Sequence, residues 1–168
     1  MISLSRSINA QHMSKFCNLL VLLLGFVVAP VFAGQLAVGD AMPAISAKDQ
    51  HGVPFVLTTN IQTLLVATEM DCSKAANRQL ASEATGFLDK HNAVFLMDIH
   101  SMPGVARMFA IPKMKKYPHR IVFIDSSTVL TNFPSQTNRV AVISLNAGHI
   151  RQIVFWDPAN ESAEKCFQ

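Results

Sequence analysis

The sequence predicts an α/β domain built on a mixed central sheet. Apolar runs of strand length at 63–69, 93–99 and 119–125 alternate with segments of helical spacing. A paired run at each end reads as a hairpin, the later one joined by Asn146-Ala147-Gly148. Strand–helix alternation gives parallel neighbours and hairpins give antiparallel ones, so the sheet is expected to be mixed and flanked by helices.

Residues 1–33 read as a targeting segment outside that core. Lys15 precedes the apolar stretch Leu19–Ala29, and Val31-Phe32-Ala33 supplies the small residues that precede a cleavage. The stretch is shorter than the roughly 20 residues a membrane span needs, so export with cleavage after Ala33 is expected, leaving no stable anchor. Met13, directly before Ser14-Lys15, offers a second start beside Met1.

The domain is then expected over 34–168, a usual length for one core. It opens with a hairpin turning at Gly52, between Val38–Pro43 and Val53-Pro54-Phe55. After the strand at 63–69, Ala76, Leu80, Ala84, Phe87 and Leu88 keep helical spacing through to 90–92, with Asp71 as the N-cap. A buried strand follows at 93–99. Pro103 then opens a short helix over Gly104–Ala110, closed by Pro112. A strand at 119–125, the hairpin 140–145 with 149–156, and a short terminal helix complete the order.

Trimming the first 33 residues removes Arg6 and Lys15 and leaves 12 basic against 11 acidic residues. That balance provides no general attraction to nucleic acid or to an acidic membrane. The basic cluster Lys113, Lys115, Lys116 and Arg120 reads as a solvated face. Two cysteines remain, Cys72 and Cys166.

Three sets of residues carry a family resemblance. Val38-Gly-Asp-Ala-Met-Pro43 with Asp49-Gln-His-Gly52 resembles the opening of thioredoxin-like proteins of the peroxiredoxin and membrane-tethered type. Tyr117-Pro118, Phe123-Ile-Asp125 and Arg139–Ile143 with Asn146-Ala-Gly148 resemble the second half of that superfamily. Met97–Gly104, Ala106–Pro112 and Lys116–Pro118 resemble small exported proteobacterial proteins akin to the YtfJ-type periplasmic family. The resemblance implies a thioredoxin-like sandwich in the periplasm and a Cys-x-x-Cys pair beginning at Cys72. Here the second position is Ala75, so a local dithiol cannot form. Val140 stands near the place of the cis-proline that faces such sites, and the Pro-x-x-x-Thr-x-x-Cys loop of peroxiredoxins is absent. With no Gly-x-Gly-x-x-Gly, no dinucleotide or flavin cofactor is expected.

The candidate catalytic residues are Cys72, at a helix start beside Lys74, and Arg139, which resembles the arginine that assists the peroxiredoxin nucleophile. Two readings of Cys72 stay open: a reactive monothiol needing an external resolving thiol, or a small packing residue. Arg139 is expected to pair with a carboxylate such as Asp125. Asp98 and His100 are expected to share a strand face, and Cys72 with His100, His119 or Asp98 is the only metal set to consider, without diagnostic spacing. In a thioredoxin-like sheet Cys72 and Cys166 fall too far apart to bridge. The leading expectation is an exported protein without a complete dithiol, binding a peptide or protein partner in the cell envelope. The alternatives are a monothiol redox protein and, more weakly, a metal-binding chaperone.

Overall fold

The computed structural model describes residues 34–168, and the targeting segment read at 1–33 lies outside the described residues. Seven strands make one sheet: β1 (Ser46–Asp49), β2 (Pro54–Val56), β3 (Thr63–Ala67), β4 (Ala93–Asp98), β5 (Ile121–Ile124), β6 (Val140–Asn146) and β7 (His149–Trp156). Their order is β2-β1-β5-β4-β3-β6-β7. The central trio β5-β4-β3 is parallel, and the outer pairs β1–β5, β1–β2, β3–β6 and β6–β7 are antiparallel. A mixed sheet is therefore what the chain forms.

Side chains alternate across the sheet and divide the core in two. Leu65, Ala67, Phe95, Met97, Ile121, Val142 and Trp156 face one side, where they meet α1 (Met70–Ser82), α2 (Phe87–Lys90), α3 (Gly104–Met114) and the terminal 3-10 turn (Ala163–Phe167). Leu64, Val66, Val94, Leu96, Val122, Ala141 and Ile143 face the other, covered by Ile45, Leu130 and Phe133 from irregular segments. Both faces of β3 are sealed, which explains its unbroken apolar run.

Local corrections to the expected elements have identifiable causes. The helix read from Asp71 to 90–92 is two helices, because Glu83 turns extended and Gly86 adopts φ 78°, a left-handed conformation that glycine takes without strain. The cap position of α1 is Glu69, and Asp71 sits exposed in the first turn, bonded to Lys74 at 3.1 Å. Pro112 does not close α3, which continues to Met114; the carbonyl it leaves unbonded lies on an exposed side, and buried Met114 anchors the last turn. The β6–β7 loop is the two residues Ala147 and Gly148, with φ of 49° and 81°. Positive φ at both positions suits a twisted hairpin.

Candidate functional site

Because β3 and β4 are parallel neighbours, α1 and α3 both begin at the same edge of the sheet. Cys72 stands there, the third residue of α1, in its first turn. The Glu69 carbonyl collects three donors: the Ser73 amide at 3.0 Å, the Ser73 hydroxyl at 2.6 Å and the Cys72 thiol at 3.3 Å. Its carboxylate accepts the Asn138 amide at 2.9 Å, tying the turn to the strained loop before β6, where Asn138 has φ 58°.

This arrangement suppresses the thiolate. Burial pushes the Cys72 thiol above its ordinary value, and the negative charges of Glu69 and Asp71 push it further; backbone hydrogen bonding at Glu69 and Ser73 offsets only part of the rise. The helix start that lowers a thiol in redox proteins is outweighed here. Ala75, one turn on, is buried and apolar. Alongside runs an open groove of about 450 Å³ lined by Asp71, Cys72, Arg78, Asn138, Asp157 and Asn160, among others.

Arg139 borders this region but does not pair with Asp125 as expected. Its guanidinium lies 3.7 Å from Asp157, whose carboxyl is held low by Asn160 first and Arg139 among the lesser causes. Asp125 is instead gripped by both terminal nitrogens of Arg107, at 2.7 and 2.9 Å, a bidentate fit Arg139 does not reach. Asp98 and His100 do not share a strand face either. β4 ends at Asp98, whose carboxylate caps the His100 amide at 2.7 Å in a turn, and the His100 ring lies 3.7 Å from Asp125.

His119 is elsewhere again, under α1. Its Nε2 lies 2.9 Å from the Asn77 side-chain oxygen, while Asn77 donates to the Ser73 carbonyl at 2.9 Å. Among the described residues its Nδ1 is buried without a partner, and burial lowers the imidazole to about 4. Among the described residues no group of three or more His, Cys, Asp or Glu side chains is placed to hold a metal, so Cys72, His100, His119 and Asp98 do not combine into a donor set.

Cys72 and Cys166 are both free and buried. Cys166 lies beside Gln62 and Thr63 at the amino end of β3, whereas Cys72 lies past its carboxyl end. The strand between them is roughly 16 Å long, more than a disulfide spans. Burial pushes the Cys166 thiol up to about 12.

Sequence reasoning missed two features. Val105, Met108 and Phe109 lie 71%, 73% and 68% exposed on α3. Their i, i+3, i+4 spacing is the signal of a core-facing stripe, but this one faces outward. Ser73 and Asn77, also one turn apart, mark the polar line on the buried side of α1 that reaches His119.

The fold has counterparts among solved structures. The thioredoxin domain of a thiol-disulfide oxidoreductase from Bacteroides vulgatus aligns over 80% of this chain and 100% of its own, at TM-score 0.54 and 21% identity. The fold is thioredoxin-like. The peroxidoxin BcpB of Mycobacterium tuberculosis aligns over 79% of this chain and 95% of its own, at TM-score 0.51 and 15% identity. A thio-disulfide isomerase from Thermus thermophilus aligns over 78% and 92%, at TM-score 0.50 and 14% identity. No protein-family model and no curated protein sequence matches the chain. Identities this low carry the architecture and leave the chemistry to be argued from the residues present.

Proposed function

We propose that this chain is an exported periplasmic protein of thioredoxin-like fold that binds a peptide or protein partner in the cell envelope without redox catalysis. The observation that carries the reading is the Cys72 turn: a buried, raised thiol bonded to the Glu69 carbonyl, with Ala75 where a second sulfur would be needed. The groove beside it supplies the contact surface, and the exposed Val105, Met108 and Phe109 stripe extends from the same sheet edge. An apolar patch of that kind marks an interaction surface. The kinship suggested by Met97–Gly104 and Lys116–Pro118, with small exported proteobacterial proteins of YtfJ type, agrees with this role. Residues 1–33 act in the proposal as a signal peptide cleaved after Ala33, so mass spectrometry of periplasmic extract is expected to find a mature start at Gly34. An intact segment from Met13 in the membrane fraction contradicts export with cleavage.

Photo-crosslinkers placed at Arg78 and Ala159 in the groove, and at Met108 on α3, test the binding role in intact cells. They are expected to trap one common partner that a crosslinker at exposed Arg151 on β7 does not. The trapping is expected to survive Cys72→Ser. The monothiol alternative rests on Cys72 lining an open groove. It gains the field if Cys72→Ser abolishes both trapping and phenotype.

A further inference from the structure

A second and larger concavity lies away from Cys72. It is a cleft of about 600 Å³ between α3 and strands β1 and β5, within the range of small-molecule sites. Its origin is topological. The ladder between β1 and β5 consists of two register pairs, Lys48 with Phe123 and Asp49 with Val122, and Ser46 and Ala47 continue with β2 alone. The strands part there, and the apolar lining is left to Phe123 and Ile99 with Ile111 of α3.

The charges at its mouth are unequal once partners are counted. Asp49 receives the His51 and Val53 amides, both at 2.9 Å, and Arg120 at 3.0 Å. Burial raises its carboxyl, but these donors outweigh burial and leave it below the ordinary value. Asp125 is saturated by Arg107. Both carboxylates are therefore neutralised by guanidinium groups. Lys48 and Lys115 line the cleft from opposite walls, exposed, and among the described residues neither belongs to an ion pair. Lys48 stands directly across from Phe123, so its ammonium rises from the same face as that part of the apolar lining.

We propose that this cleft binds a small amphipathic carboxylate, its apolar body on Phe123, Ile99 and Ile111 and its anionic head between Lys48 and Lys115. An aliphatic or aromatic body fits the apolar lining, two free ammonium groups select an anion, and the spent carboxylates do not oppose it. A cation of the same body finds no carboxylate free of a guanidinium partner among the described residues of the lining. The site is separate from the groove at Cys72 and stands whether or not that groove binds a protein.

Octanoate is the probe, titrated below its micelle concentration into the mature protein labelled with nitrogen-15. The expected result is saturable shifts confined to amides of 46–52, 99, 111, 113–115 and 123–126, with octylammonium binding at least tenfold more weakly. Lys48→Glu and Lys115→Glu, both at exposed positions, are each expected to weaken octanoate about tenfold or more. The double variant is expected to reverse the preference towards octylammonium. Unchanged circular dichroism separates lost binding from lost folding, and Phe123→Ser checks the apolar lining independently. Equal binding of octanoate and octylammonium, shifts centred elsewhere, or no shift up to the solubility limit would each overturn the proposal.

Discussion

The Cys72 groove and the β1–α3 cleft are both open concavities on the helical side of the sheet, yet their charges are arranged in opposite ways. At Cys72 the one nucleophile is spent on a carbonyl 3.3 Å away and shaded by Glu69 and Asp71. In the cleft the acids are spent on Arg120 and Arg107 while Lys48 and Lys115 stay free. The candidate nucleophile is buried with its thiol raised, and the position without a motif keeps unpaired lysines over an apolar lining. A thioredoxin-like framework thus does not fix where chemistry occurs; the local partners of each ionisable group do.

The largest effect breaks both regions together. Leu65 is fully buried at the centre of β3, the strand that leads to Cys72 and lies two strands from the cleft. Leu65→Ala is expected to cost about 2–5 kcal/mol, read as a lower denaturant midpoint with an unchanged m-value. If the cleft survived as a separately folded unit, two transitions would be seen.

Acid is expected to act under α1, at His119. His119 is lowered from 6.5 to about 4 in the folded protein, so between those values the unfolded chain holds the proton more readily than the folded one. Stability is therefore lost as pH falls from 6.5 towards 4. Thermal unfolding followed over that window should show a shallower slope in His119→Gln, whose side chain does not titrate. An identical slope would place the acid sensitivity elsewhere.

Arg107→Ala sharpens the contrast from the cleft side. Freed of its hydrogen-bonding partner, Asp125 becomes an uncompensated carboxylate at the mouth, and octanoate affinity is expected to fall several-fold while Cys72 alkylation stays unchanged. The smallest effect is at Glu69→Gln, which keeps an acceptor for the Asn138 amide and removes one charge near the thiol. The midpoint of Cys72 alkylation against pH is expected to move down by less than one unit.

Most of the architecture was legible because burial writes itself into strands. The stretches Leu64–Ala67 and Ala93–Met97 are apolar throughout since both faces of β3 and β4 are covered, and the Ala147-Gly148 hairpin declared its turn. Boundaries that depended on one residue's backbone were not legible: Gly86 could end a helix or sit within one, and Pro112 stops α3 only if no buried residue follows it. The site was legible at Cys72 and Ala75 as residue types, but not as a state. The raised thiol depends on Glu69 and on burial contributed by distant strands. Arg139 was paired with the wrong aspartate because the choice between Asp125 and Asp157 depends on Arg107 reaching Asp125 first. The cleft left no local signal, since Lys48, Ile111, Lys115 and Phe123 converge from three elements.

The central claim is that Cys72 is chemically quiet, and its alkylation rate across pH tests this most directly. Mature protein is treated with iodoacetamide from neutral to strongly alkaline pH, and the Cys72 and Cys166 peptides are quantified separately by mass spectrometry. The expected result is slow modification of both at neutral pH, with Cys72 accelerating only above the ordinary thiol value of 9.0 and Cys166 later still. Fast Cys72 modification that has already levelled off at neutral pH would contradict it and make the monothiol redox protein the better description.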